Sequence, residues 1–199
     1  MDSASGIGGS EIAVPKTSAS FPDMPTPDWE SEFRAVHARA IQAWNAGRRS
    51  PRSMFSPEDT AFLQSIGCTC QELFDFVDDL QDWGEPGLET VVEIQRIRLA
   101  YFTEVQHGQL SHHVASMDDL PPKSEAVDGI PWLPRLIAKA RLKLRGEMPP
   151  DLMYGCGGDR PFVARMRTTL PDLLRLVWES GSDDRRIIDT VRRTAGLLP

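Results

Sequence analysis

No apolar run in this chain approaches the roughly 18 to 20 residues that a bilayer-spanning helix needs, so a membrane protein is not expected. Cysteine is scarce, with only Cys68, Cys70 and Cys156 among 199 residues. An odd number at these spacings makes no disulfide framework, and the expected setting is a reducing one, most simply the cytoplasm. Residues 1–20 lack a basic start and a continuous apolar stretch, so they do not read as a secretory signal. Histidine is confined to His37, His107, His112 and His113, all before residue 130. A cysteine nucleophile in the second half therefore has no histidine base close to it in sequence. Phosphate-binding loops, dinucleotide fingerprints and paired-carboxylate motifs are also missing. His107, His112 and His113 lie near Asp118 and Asp119, but their spacing matches no closed zinc site. Cys68-Thr69-Cys70 is one residue short of the usual chelating pair. Neither a metal nor a cofactor is expected.

What is present is an ordinary globular composition, 40% apolar and 26% charged. The net charge of −7 is unevenly divided. Residues 1–129 carry 9 Lys and Arg against 21 Asp and Glu, a balance of −12, whereas residues 130–199 carry 13 against 8, a balance of +5. Opposite halves of this kind attract each other, within one chain or between copies, or offer a surface to a protein partner. An acidic whole disfavours general nucleic-acid binding.

Residues 1–27 are rich in Ser, Gly and Pro, show no apolar period and read as a disordered tail. Beyond them the pattern is helical throughout. A first unit, 28–107, begins with Phe33, Val36, Ala40, Ile41 and Trp44 on one helix face, closed by Gly47. Ser56-Pro57-Glu58-Asp59 has the form of a capped helix start, followed by Phe62, Leu63 and Ile66. Thr69-Cys70-Gln71-Glu72 is a second capping box, opening a helix with Leu73, Phe74, Phe76, Val77 and Leu80. A longer helix over 88–107 offers Val91, Ile94, Ile97, Leu99, Phe102 and Val105 to a core. A linker with three prolines spans 108–131. The second unit, 132–199, opens with Trp132, Leu133, Leu136, Ile137, Ala140 and Leu144. Arg135, Lys139 and Lys143, four residues apart, are expected on the exposed side of that helix. Phe162, Val163 and Met166, then a helix capped by Thr169, then Ile187, Ile188 and Val191 complete the chain.

The two units echo each other at a shift of about 100 residues. Ala38, Ala40, Gly47, Pro51, Met54, Asp59, Phe62, Thr69, Leu73 and Val77 meet identical residues at Ala138, Ala140, Gly146, Pro150, Met153, Asp159, Phe162, Thr169, Leu173 and Val177. Arg39 and Lys139 form a conservative match. Caps and core positions match together, as a shared backbone requires. The expected fold is all-α, with two pseudo-repeated units of about four helices each behind the tail.

Within residues 130–163, Trp132-Leu133-Pro134-Arg135, the helix end at Ala140–Gly146, and Tyr154, Cys156, Asp159 and Phe162 resemble a bacterial family of unknown function, number 5069 in its series. The chain departs from the family pattern after Cys156, where Gly157-Gly158 replace a proline and an aliphatic residue. The resemblance implies a boundary for the second unit and no class of reaction.

Tyr154, Cys156, Gly157, Gly158, Asp159 and Arg160 form the candidate ligand-binding loop. Its glycines admit close approach to the backbone, the following helix start offers N–H groups to an anion, and Arg160 offers a bidentate grip. The competing structural account makes Asp159 a helix cap like Asp59, Tyr154 a core residue with a solvated hydroxyl, and Cys156 a small buried residue. The function expected is a non-enzymatic helical module for binding or scaffolding. A thiol enzyme or redox protein using Cys156 is one alternative. DNA binding through a helix-turn-helix, with Arg165, Arg167 and Arg175 on phosphates, is another.

Overall fold

The computed structural model describes residues 28–198. The expected disordered tail, residues 1–27, lies outside them. Nine α-helices, one short 3-10 turn and one minimal hairpin make up the described chain, which is mostly helical as expected. None of these helices is long and apolar enough to cross a membrane.

Helix boundaries follow local chemistry. In α1 (Trp29–Asn45) Asp28 accepts from the Ser31 N–H, and Phe33, Val36 and Ala40 are buried. Ile41 and Trp44 flank that stripe half-buried. The segment expected as a plain loop contains a one-turn helix, α2 (Pro51–Met54), capped by Ser50. Both expected capping boxes form, Ser56 with Asp59 at the start of α3 (Pro57–Ser65) and Thr69 with Glu72 at the start of α4 (Cys70–Trp83).

The next helix, α5 (Leu88–Glu104), is the axis of the fold and packs against α1, α6 and α8. Burial extends to its polar residues Gln95 and Arg98 as well as to Val91, Ile94 and Ile97. Gln95 donates to the Ile66 carbonyl at 2.8 Å, while Arg98 reaches Gln106 at 2.7 Å and lies over the Phe102 ring. Val105, expected in the core, is 47% exposed. The helix stops at Glu104 rather than at His107, and left-handed residues at His107 and Gly108 then turn the chain away.

Residues 108–131, read as a linker, fold over the second half of the molecule. Strands β1 (Ala126–Val127) and β2 (Ile130–Pro131) pair antiparallel around Asp128-Gly129, both at positive φ, as a tight two-residue hairpin requires. Ala115 and Leu120 pack with Leu142 and Leu152, and Ile130 enters the main core.

The structure corrects the reading of α6 (Leu133–Arg145). Arg135, Lys139 and Lys143 do line one side of the helix, but that side is buried, with Lys139 and Lys143 each only 1% exposed. Their partners are internal. Lys139 pairs with Asp159, Lys143 pairs with Glu72 at 2.9 Å, and Arg135 donates to the Pro121 carbonyl at 2.8 Å. Burial works to raise the Glu72 pKa, yet Lys143 and the cap hydrogen bond hold it below its ordinary value.

The last three helices are α7 (Asp159–Arg165), α8 (Leu170–Ser180) and α9 (Asp184–Thr194). Thr169 caps α8 and Asp183 caps α9. One continuous core draws Phe33, Leu73 and Ile94 from the first half together with Leu136, Leu174 and Ile187 from the second.

A double-mutant cycle tests the buried Lys143–Glu72 pair. Lys143→Met leaves Glu72 as an uncompensated buried charge and is expected to cost about 3 to 5 kcal/mol in urea unfolding. Adding Glu72→Gln to it is expected to recover about 1 kcal/mol or more, because the stranded charge is gone while the cap oxygen stays.

Candidate functional site

The loop from Tyr154 to Arg160 is assembled around one carboxylate. Asp159 is fully buried and accepts three hydrogen bonds: from the Trp132 indole at 2.9 Å, from the Gly155 N–H at 2.9 Å, and from Lys139. It is the first residue of α7 and caps nothing with its side chain; Gly158 holds the cap position. The expectation of a helix cap is thereby corrected: Asp159 ties the loop, α6 and Trp132 together. Asp59 differs in this respect, because it sits at the third position of α3, inside a capping box, and also pairs with Arg39 at 2.6 Å.

Each neighbour has a physical reason for its place. Tyr154 is buried, and its hydroxyl is not solvated but donates to the Leu170 carbonyl at 2.8 Å. Burial, with the Asp159 charge adding to it, pushes its pKa well above the ordinary value. At Gly155, φ is +93° and a Cβ would meet Leu170 at 2.9 Å. A Cβ at Gly158 would lie 2.5 Å from the Trp132 ring. Both glycines therefore serve close packing, whereas Gly157 has room around it.

Groups on which the anion-binding expectation relied already have partners within the chain. The N–H groups of Asp159 and Arg160 both donate to the Cys156 carbonyl, at 2.8 and 3.2 Å. Arg160 is engaged by Asp79 at 2.6 Å, by Glu85 at 3.2 Å and by the Gly155 carbonyl at 2.9 Å. Cys156, read structurally as a small buried residue, is only half-buried, and its sulfur lies 3.3 Å from the Lys139 ammonium.

The loop separates two hollows. On one side, Cys156 and Gly158 line a cleft of about 520 Å³ with Trp132, Lys139 and the acidic row Asp75, Asp78 and Asp79 of α4. On the other, Gly157 and Arg160 border a groove of about 800 Å³ with Trp83, Pro86 and Val163. Asp79 touches both. In the cleft, burial pushes the Asp75 carboxyl up to about 7; Gln71 opposes the rise, and Glu72 and Asp79 add to it.

Sequence patterns alone missed Lys139, Trp132, Asp79, Glu85 and Trp83. The match of Lys139 with Arg39 was the available signal for the first of these. Among the described residues, no group of three or more His, Cys, Asp or Glu side chains is placed to hold a metal ion. The expected recognition helix, α8, buries Leu170, Leu173, Leu174 and Val177 in the core, while Arg165, Arg167 and Arg175 are exposed. No protein-family profile, curated protein or solved structure matches the chain.

Two outcomes follow from this geometry. Asp159→Ala strands the Lys139 charge and two further donors, Trp132 and Gly155, so thermal or urea melts should show a loss of about 3 to 5 kcal/mol. Cys156→Ser should cost less than about 1 kcal/mol, because the half-exposed hydroxyl keeps access to water and to Lys139.

Asp75 supplies a pH signature. Its folded pKa near 7 exceeds the ordinary 3.8, so the group's favourable contribution is complete below the unfolded value and is lost as pH rises through about 7. Asp75→Asn is therefore expected to stabilise the protein at about pH 8, by on the order of 2 kcal/mol, with the gain fading toward about pH 4. Paired melts of the two proteins across that interval check the sign.

Proposed function

We propose that this protein is a non-enzymatic helical binding module, and that its docking surface is the groove between the α4–α5 corner and α7–α8. The observation that carries the reading is Trp83, 75% exposed at the edge of a groove whose floor includes Val163 and Leu170. An exposed tryptophan beside an apolar depression is the usual anchor of a protein contact. Charge defines the partner. Residues 75–89 hold no Lys or Arg, and of their acids Asp79 and Glu85 border the groove. The occupant that fits is a protein segment alternating apolar and basic residues, with an Arg or Lys free to stack on Trp83.

The wider frame is also proposed. The two units are taken as products of a duplication, supported by the order of α1, α3, α4 and α5 against α6, α7, α8 and α9, and by the pairs Arg39–Asp59 and Lys139–Asp159 at equivalent positions. Membership of the unknown-function family, a bacterial origin and a cytoplasmic setting belong to the same proposal, the last supported by three free cysteines. Attraction between the acidic and basic halves acts within the chain in this view, through Glu72–Lys143, Asp79–Arg160 and Asp128–Arg185.

Titration of a synthetic Leu/Lys/Arg peptide and its Leu/Glu counterpart, followed by calorimetry and amide chemical shifts, tests the reading. The basic peptide should bind, shift resonances around Trp83, Thr90 and Val163, and weaken with added salt. Trp83→Ala and Glu85→Lys should each reduce affinity about tenfold or more. Equal binding of the acidic peptide, shifts confined to another face, or dimers of the protein that Trp83→Ala abolishes would overturn it, the last by making a second copy the occupant.

A further inference from the structure

Lys139 and Cys156 are arranged for a reaction with each other that the binding reading neither requires nor explains. The Lys139 side chain is 2% exposed, so its amine is almost wholly enclosed by protein. That amine touches only the Asp159 carboxylate and, at 3.3 Å, the Cys156 sulfur. Cys156 is half-buried and faces the cleft of about 520 Å³, through which a small oxidant reaches it. The other two cysteines are placed differently. Cys68 is buried, and burial raises its pKa, while Cys70 donates to the Thr60 hydroxyl at 3.4 Å. One thiol in the described chain therefore combines access with a neighbouring buried amine.

We propose that Cys156 is an oxidation site at which Lys139 closes onto the sulfur, forming a reversible sulfenamide bridge between α6 and the loop before α7. The oxidant class is a hydroperoxide, with hydrogen peroxide as the simplest member. In the first step the sulfur attacks one peroxide oxygen, an S–O bond forms, the O–O bond breaks, and the leaving hydroxide departs as water with the thiol proton. In the second step Asp159, in contact with the amine, takes one proton from the ammonium. The nitrogen lone pair attacks sulfur, the N–S bond forms, and the S–O bond breaks. Hydroxide leaves as water with a second proton from nitrogen. Sulfur is oxidised by two electrons, one peroxide becomes two waters, and the protein loses two hydrogens from the bonded pair. Two equivalents of a small thiol reverse the bridge and are oxidised to their disulfide.

The reaction differs from ordinary thiol oxidation in its end point. An isolated sulfenic acid goes on to sulfinic and sulfonic acids or is captured by another thiol. Here the nearest nucleophile is an intramolecular amine already in contact, which gives capture a large advantage in effective concentration.

Mass spectrometry of the peroxide-treated full chain, digested without reductant, is the test. The expected product joins the peptide containing Lys139 to the peptide containing Cys156, at a mass two hydrogens below their sum, and dithiothreitol separates them. Lys139→Arg keeps a cation for Asp159, as Arg39 does for Asp59, so it preserves the pair while removing the reactive amine. This variant should leave Cys156 trapped by dimedone as sulfenic acid several-fold more than the parent. Circular dichroism before oxidation confirms that the variant is folded. Recovery of Cys156 as sulfinic or sulfonic acid with Lys139 free in the folded parent overturns the proposal. Equal dimedone labelling of parent and variant overturns it as well.

Discussion

The fold depends on placing two lysines inside it. Lys139 and Lys143 occupy successive turns of α6, both almost fully buried, and each is matched by a carboxylate from a different element. Removing an ammonium from water costs several kcal/mol, which only close pairing and full hydrogen bonding offset. The requirement fixes more than the pairs. Glu72 must arrive on α4 with its capping box formed, and Asp159 must arrive on a loop whose glycines let Trp132 and Leu170 press against it. The position of α6 thus couples the first half of the chain to the second through charge, while α5 couples them through apolar contact.

Such buried pairs act on specificity as much as on stability. An apolar residue at 139 or 143 would leave Asp159 or Glu72 buried without its cation. With Lys139 and Lys143 in place, only the rotation that delivers both ammonium groups to their carboxylates avoids stranded charge. Arg98 on α5 is buried as well, like Arg135, and is held by Gln106 and the Phe102 ring.

Much of the helical frame was legible in the sequence because its signals are local. Ser56, Thr69 and Thr169 mark helix starts through hydrogen bonds three residues long, and the apolar stripes of α1, α4 and α9 follow the helical period. The burial of the α6 lysines was not legible, because basic residues at intervals of four beside an apolar stripe are also the pattern of an exposed face. What buries them is α4 and the loop before α7, through Glu72, Phe76 and Asp159, a long-range packing that no local pattern announces. Glycines mark the candidate loop in the sequence, but two of them serve packing against Leu170 and Trp132 rather than ligand access. Arg160 reads as a free cation in the sequence because its partners, Asp79 and Glu85, lie some eighty residues away in the chain.

The burial of two lysines also determines the chemistry of the outer surface. The chain has four lysines, Lys16, Lys123, Lys139 and Lys143. With two of them enclosed, Lys123 is the exposed lysine among the described residues, and the rest of the exposed positive charge there belongs to arginine. Arginine stays protonated at any pH the fold tolerates and does not react with acylating or reductive-alkylating reagents. Among the described residues, amine-directed modification, whether by acetyl transfer, ubiquitin attachment or coupling to a solid support, therefore finds one exposed side chain, Lys123.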